Sequence, residues 1–570
     1  MKKLKKIITF TLILLTCFSS ICAEIYFETQ VVNDSQVLKE NHWIYQDFKI
    51  IFSECGISAF FDVAPISVGE LKFYLKQIDY EKLSLSGQNL YDKIYNFLYN
   101  QPKATTKYNI GLKLNPEFYL TTNKDIESSI RYFYKDWPAT LPVIIGIADK
   151  FALQADFFYG KHFYSSIDSS SITNIPFKMK DGDGEFPKFA YGNMTWLFNN
   201  WGIAAQIGKE GFRIGETQLG SVIYNSTFET DAYSVFSAFT EKFKYDLIFS
   251  QVNYDRFLYL HTFNINFFPN LKITLTEGGL REGPIELRFF NPIMLVHSFF
   301  PAKDYERDLN EKYDLDNHYC AYFGITVDYY PIPNLRLYGL WSQTENQSKA
   351  ELASGNYGKL LPNGYGLQLG ADFNYPSKHG GFYIANIEGL YTSPFLYVKQ
   401  SPNWSLVKYR FDLNHQKKDV ASWIGSPFGP DTFALTTSFG YKQPEKWSAK
   451  FSYLLVMKGE IDADTLLTTS KPDQEKHPDD QNEYPAYYPA VNYYLGIEDL
   501  EDAIIRARDM SLTGIVQYTN KFTLSGEYFI TPKLKSSMDT SYIFVFNNKH
   551  KKDNFQQGFE IKLALTYNIF

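Results

Sequence analysis

Cysteine is scarce in this chain, with four in 570 residues, and Cys17 and Cys22 lie within the first 23 positions. A fold resting on disulfides would carry many more, so Cys55 and Cys320 could supply one bridge at most. Beyond the amino terminus there is no apolar run of the roughly 18 residues that a membrane-spanning helix needs. Hydrolase and nucleotide signatures are absent too: no G-x-S-x-G, no H-E-x-x-H, no C-x-x-C and no G-x-x-x-x-G-K. Positive charge is in deficit. With 56 basic against 63 acidic residues, and four of the lysines at positions 2, 3, 5 and 6, the chain beyond residue 23 has a formal charge of -11. Nucleic acid is therefore excluded as the expected partner.

Aromatic residues are abundant, with Phe 49, Tyr 44 and Trp 8, while mean hydropathy is only -0.28. Disordered chains lack aromatics, and helical membrane proteins are far more apolar overall. Strands with one greasy and one wet face need this mixture. The first 23 residues read as a secretory signal: a lysine-rich start, an apolar stretch from Ile7 to Leu15, and cleavage after Ala23. Lipidation at Cys22 is the alternative, against which Ile21 stands where a small residue is wanted.

Residues 24–102 carry a helical period. Ile44, Phe48, Ile51, Phe52 and Cys55 share a face that Gly56 ends. Ser67 and Glu70 form a capping box, in which hydroxyl and carboxylate would each satisfy the other's backbone N–H, ahead of Leu71, Leu75 and Ile78. A third helix begins near Ser86 and buries Leu90, Ile94, Phe97 and Leu98. From 103 onward the period is two. Representative stripes are Phe243, Tyr245, Leu247 and Phe249; Phe257, Tyr259, His261, Phe263, Ile265 and Phe267; and the last, Phe559, Ile561, Leu563, Leu565, Tyr567 and Ile569. Polar residues fill the alternate positions, which a sandwich core would reject and a wet lumen accepts. Five or six apolar positions correspond to about 9 to 11 residues, the length of a tilted strand that crosses a bilayer. The expected fold is an all-β transmembrane barrel of about 18 antiparallel strands, preceded by a small α-helical bundle on the periplasmic side. Long loops are expected near 165–187, 278–318 and 458–510.

Two stretches resemble the Wzi family of capsule-assembly outer-membrane proteins. One runs from Trp43-Ile44-Tyr45 through Phe52-Ser53-Glu54-Cys55-Gly56-Ile57 to Ala64-Pro65-Ile66-Ser67. The other includes Ala205-Gln206-Ile207-Gly208-Lys209-Glu210 and Gly215-Glu216-Thr217-Gln218-Leu219-Gly220. It continues through Leu258-Tyr259-Leu260-His261 and Thr276-Glu277-Gly278-Gly279 to Phe290-Asn291-Pro292-Ile293. The resemblance implies 18 strands over a periplasmic helical bundle, a location in the outer membrane, and non-enzymatic attachment or assembly of capsular or exopolysaccharide. Partners then include surface polysaccharide, outer-membrane lipid and the barrel-insertion machinery, which Phe570 would address.

Two stretches carry candidate glycan contacts. The run Gly278 to Pro301 breaks the alternation and gathers Arg281, Arg288, Asn291 and His297 among phenylalanines, and planar rings beside bidentate donors suit a sugar's apolar face and hydroxyl rim. A folded-in plug uses the same residues equally well. The segment from Lys458 to Met510 sets Tyr484, Tyr487 and Tyr488 among prolines and acids. Asp181-Gly182-Asp183-Gly184-Glu185 lacks the spacing of a calcium loop, and no cofactor is expected. Two rival functions remain: a channel for small solutes, and a hydrolase built on His297 and Ser298.

Overall fold

The computed structural model describes residues 24–26, 31–101, 105–126, 136–160, 172–176, 183–185, 189–209, 211–228, 230, 232–292, 319–346, 363–399, 405–411, 419–462 and 512–569. The expected signal peptide lies outside them. Eighteen antiparallel strands close into one barrel. Strand β1 is interrupted, comprising Thr106–Ile110, Lys113–Leu114 and Glu117–Thr121. Then follow β2 (Ala139–Ile147), β3 (Phe151–Gly160), β4 (Ala190–Leu197), β5 (Trp201–Lys209) and β6 (Ala232–Thr240). Next come β7 (Phe243–Asn253), β8 (Arg256–Phe268), β9 (Leu271–Glu282), β10 (Tyr319–Ile332), β11 (Leu335–Glu345) and β12 (Gly364–Pro376). The wall ends with β13 (Phe382–Thr392), β14 (Thr432–Gln443), β15 (Trp447–Lys458), β16 (Gln517–Thr531), β17 (Leu534–Phe546) and β18 (Gln556–Asn568).

The two-residue rhythm is the wall itself. Phe243, Leu275, Phe323, Leu367, Phe451 and Leu563 point outward and are exposed, whereas Lys244, Asp246, Lys272, Asp328 and Arg336 point inward and are buried. Tyr329 and Tyr330, adjacent in sequence, divide accordingly: the first is exposed and the second buried in the lumen. Burial stops alternating from Thr276 onward, close to where the sequence breaks its pattern at Gly278, yet strand β9 keeps its pairing through Glu282. The two glycines preserve it. A Cβ on Gly278, at φ +152°, would meet the Tyr259 carbonyl at 1.9 Å, and one on Gly279 would meet the Cys320 carbonyl at 2.5 Å.

Three helices, α1 (Trp43–Cys55), α2 (Val68–Leu75) and α3 (Leu85–Tyr99), sit at the end of the barrel where the strands are joined by short turns. Ser58 N donates to Pro269 O at 2.8 Å, Asn334 N to Ser53 O at 2.6 Å, and Ser86 Oγ to Ser377 O at 3.0 Å, so three of those turns hold the helical segment. Its interior is apolar and largely its own: Ile44, Phe48, Ile51, Phe52, Leu71, Leu90, Ile94 and Leu98 cluster together, with Ala204, Phe239 and Phe382 from the wall. Gly56 ends α1 in the left-handed conformation at φ 65°. Ser67 caps α2 by accepting from Glu70 N, but the reciprocal half of the capping box does not form. The Glu70 carboxylate instead accepts from Lys244 Nζ at 2.6 Å and from Tyr74 OH at 2.7 Å. A buried ammonium outbids a backbone N–H for that carboxylate. Helix α3 starts at Leu85, beside the expected Ser86, and Ser84 caps it by accepting from Gly87 N at 3.1 Å. Phe97 is only partly buried, lying against Trp43 at 5.2 Å. Cys55 and Cys320 are both free thiols.

Beside its apolar contacts, the helical segment meets the wall through buried ion pairs. Asp62 meets Lys272 at 2.6 Å, Lys272 meets Asp328 at 3.0 Å, and Arg336 joins Asp328 to Asp372. Lys49 of α1 completes the chain at 3.4 Å from Asp372 and 3.3 Å from Glu216. Burial alone would lower the Lys49 pKa, but the two carboxylates outweigh it and hold the ammonium above its ordinary value. Burial raises Glu70 above the usual carboxylate range even beside Lys244. Such pairs fix geometry more than they stabilise, because desolvation consumes most of the Coulombic gain.

Removing one partner exposes that asymmetry. Lys244→Met strands Glu70 and Asp246 in the interior and is expected to cost about 3–5 kcal/mol in denaturant unfolding. Lys535→Met, at the partly solvated pair with Glu527, should cost under about 1 kcal/mol. A second expectation concerns acid. His42 caps α1 by accepting from Ile44 N at 3.4 Å, and burial, helped by Lys93, pushes its pKa from 6.5 down to about 3. Between those values the unfolded chain binds a proton that the folded chain refuses, so stability falls as pH drops. The drop in melting temperature from pH 7.5 to 5 should be smaller in His42→Asn, which keeps a capping oxygen without titrating.

Candidate functional site

At the other end of the barrel, segments folded inward fill the lumen. Residues 211–228, between β5 and β6, descend far enough for Arg213–Ile214 to pair with Val63–Ala64 of the helical segment. Their anchor is Glu388 on β13, which accepts from Gln218 N at 2.7 Å, Leu219 N at 2.8 Å and Gln368 Nε2 at 2.7 Å. Val222, Ile223 and Tyr224 then pack with Leu396, Tyr397, Leu406 and Ile424 and with inward residues of opposite walls, among them Ile248, Leu340, Ala434 and Val456. One apolar cluster thus spans the bore. The Gly215 to Gly220 motif serves this inner seal, with Gly215 at φ +91° and Gly220 at φ +86°.

The outward side carries the candidate surface. After Glu282 the chain turns back over the exterior of β7, β8 and β9, where Gly283 N donates to Asp255 O at 2.8 Å and Glu286 N to Tyr259 OH at 3.1 Å. A 3-10 turn, Leu287–Phe290, lies flat on the wall. Phe289 packs on Tyr259 at 5.0 Å and Phe290 on Phe249 at 5.1 Å. Beneath them is His261, an outward residue in an apolar stripe yet fully buried. Its Nε2 lies 3.0 Å from Phe289 O and its Nδ1 2.9 Å from Tyr245 OH. A neutral ring protonated at Nε2 satisfies both, donating to the carbonyl and accepting from the phenol. Glu277 stands directly across the strand pair from His261. Polar groups on this side cannot face acyl chains bare, and residues 283–291 form the strap that covers them.

The structure brings together three of the residues singled out by sequence. The Arg281 and Arg288 guanidiniums both lie against the Glu286 carboxylate, and Asn291 N closes the turn on Arg288 O at 3.2 Å. The neighbouring rings do not act as expected. Phe289 and Phe290 are spent on the wall, and the Arg288 guanidinium stands 5.2 Å from the buried Phe289 ring. Outward the strap offers Asn291 and two aliphatic groups: Leu287 is 82% exposed and Ile285 51%, with Tyr254, 85% exposed, in the β7–β8 turn. Leu287, Ile285 and Tyr254 were missed in the sequence, where the one available signal was a histidine inside an otherwise apolar stripe. His297 and the tyrosines 484, 487 and 488 lie outside the described residues, as do Asp181 and Gly182. The base of the 463–511 segment is described. Asp431, buried ahead of β14, accepts from Ile461 N at 3.1 Å and Thr513 N at 3.0 Å, and so ties the two ends of that segment together. Among the described residues no group of three or more acidic, histidine or cysteine side chains forms a metal site.

Wall, plug and seal together define the class: a closed β-barrel of outer-membrane type whose lumen holds a helical plug and inward-folded segments. No protein-family model matches the chain, and no curated relative does. Among solved structures it is similar to Wzi of Escherichia coli, described as an outer-membrane protein involved in group 1 capsule assembly and a carbohydrate-binding β-barrel. That likeness covers 93% of this chain and 99% of Wzi at 11% identity, with a TM-score of 0.53, and it shows the fold. The chain also matches OprD of Pseudomonas aeruginosa (9% identity, 81% and 96% covered, TM-score 0.38) and the channel DcaP of Acinetobacter baumannii (9%, 82% and 99%, 0.35).

His261→Leu would leave the Phe289 carbonyl and Tyr245 hydroxyl without their partner, a local loss of about 1–3 kcal/mol. Tryptic cleavage after Arg288 in the folded barrel should accelerate while the heat-modifiable gel shift of the barrel itself persists.

Proposed function

We propose that this protein attaches, or helps to assemble, a capsular or exopolysaccharide at the surface of a diderm bacterium, without chemical turnover. In this reading the barrel spans the outer membrane with its short turns and helical bundle in the periplasm and its long connections outside. The supporting observation is the filled bore: an ion-keyed plug at one end and an apolar seal at the other. A solute channel needs a wet path between its mouths, and from β6 to β15 the described inward side chains largely meet plug and seal. Function then falls to the exterior. The similarity to Wzi, whose description names carbohydrate binding, points the same way. His297 and Ser298, on which the hydrolase alternative rests, lie outside the described residues.

Purified protein should be retained on immobilised native surface polysaccharide, and a deletion strain should shed its cell-associated polymer. In planar bilayers the intact chain should stay silent. Stable single-channel steps, together with unchanged polymer on the deletion strain, would replace this reading with the solute channel.

A further inference from the structure

At the end of the barrel away from the helices, one connection is at once strained, pinned and basic. Residues 547–555, the loop from β17 to β18, carry Lys549, Lys551 and Lys552 against Asp553, a formal charge of +2 in a chain that is -11 beyond residue 23. Lys124 stands in the neighbouring 122–126 loop, which Asn548 Nδ2 holds by donating to Asp125 O at 2.7 Å. All four lysines are exposed, and among the described residues none of their ammoniums forms an ion pair.

The backbone beneath them is costly. Asn547, Lys549, His550 and Asp553 all have positive φ, between 53° and 62°, a conformation that glycine adopts freely and lysine does not. A loop that only joined two strands would place glycine or asparagine there. Its shape is fixed from the lumen side. Asn547 Nδ2 donates to Val516 O at 2.9 Å, His550 Nδ1 to Ile515 O at 2.8 Å, and Lys549 N to Oε1 of Gln517, an inward residue of β16, at 2.7 Å. Phe555 stays on the wall side, 5.1 Å from the outward Phe546. The loop therefore leans over the mouth of the barrel, away from the lipid.

The kind of charge selects the ligand. A single small anion is held by converging backbone N–H groups, but here Asn548 N, Lys551 N and Asn554 N close the loop on itself and Asp553 N donates to Asn547 Oδ1. What remains is four point charges on flexible stems, each weak alone. They become effective together on a ligand that repeats its negative charge. We infer that Lys124, Lys549, Lys551 and Lys552 form a docking site for an acidic polysaccharide, one that bears carboxylates or phosphates along its length. The inference rests on the attachment role proposed above and deepens it by naming the polymer's charge and the loop that meets it.

The test uses the full chain in detergent micelles on three immobilised probes: polyglucuronate, the same polymer with its carboxyls reduced to alcohols, and the native surface polysaccharide. Polyglucuronate and the native polymer should be retained at about 50 mM salt and released at about 0.5 M, where screening is short-ranged. The reduced polymer should bind at least about tenfold more weakly, as the loss of several exposed charge pairs implies. Lys549→Asn combined with Lys551→Gln and Lys552→Gln should weaken both acidic polymers about tenfold, with a melting temperature unchanged or raised, since asparagine tolerates the left-handed position. Lys242→Gln with Lys378→Gln and Lys446→Gln, exposed lysines of the short turns, makes the same change in net charge and should leave binding as it is. Equal retention of the reduced polymer, or equal loss in the short-turn variant, overturns the inference. So does displacement of polyglucuronate by rough lipopolysaccharide, which would assign the lysines to a lipid-borne anion. If wild type and loop variant retain the native polymer equally, only this inference falls; if polyglucuronate needs the loop but a deletion strain keeps its polymer, only the attachment role falls.

Discussion

Closure of the wall is the constraint on which everything else depends. A sheet in lipid has no water to satisfy its edges, so the last strand must find the first. Here the first strand makes that difficult, because β1 is broken at Gly111-Leu112 and again at Asn115-Pro116. The breaks are bridged one by one. Leu565 N donates to Pro116 O at 3.1 Å and Ile569 N to Leu112 O at 2.8 Å, while Gly111 N reaches Pro142 O at 2.9 Å. Residues Glu24–Tyr26 pair in parallel with Lys107–Asn109, alongside the part of β1 that β18 does not reach. Inside the seam, Lys562 Nζ meets the buried Glu117 carboxylate at 2.9 Å and Thr566 Oγ1 donates to Asn115 at 2.6 Å.

Once the wall closes with apolar groups outside, its polar groups are committed to the interior, and the interior must answer for them. Lys244, Lys272 and Arg336 are buried cations that need carboxylates, and the helical segment supplies Glu70 and Asp62 while β10 and β12 supply Asp328 and Asp372. The plug's position follows from charge and its shape from apolar packing. The upper seal inverts the arrangement: apolar residues of 211–228, 395–398, 406–407 and 423–424 meet apolar inward positions, with Glu388 satisfied by backbone N–H groups and side-chain donors.

Much of this was legible in the chain. The stripes from Phe243 to Ile569 were read in the phase in which the wall holds them, because alternation in a half-wet strand leaves a direct mark on sequence. The helical stripes and the Gly56 stop were legible for the same reason. Other features left no local mark. Ser67 and Glu70 spell a capping box, yet the carboxylate leaves it for Lys244, 174 residues away. His261 reads as one more member of an apolar stripe, and nothing near it announces that residues 283–291 return to cover it. Arg281, Arg288 and Asn291 were chosen by composition and do share one patch, while the phenylalanines beside them proved to be packing groups.

Sequence by itself determined what is periodic: a helical stretch, and a two-residue rhythm whose greasy and wet faces demand a closed wall. It did so because strand and helix periods are local properties of the backbone, repeated too often to be obscured. Only tertiary structure decided what fills the wall and what lies upon it, namely the ion pairs that seat the plug, the loops that seal the bore, and the strap that lays Leu287 against the membrane side. Those choices join residues tens to hundreds of positions apart, where the energy of a contact depends on burial and on a partner that no local pattern names.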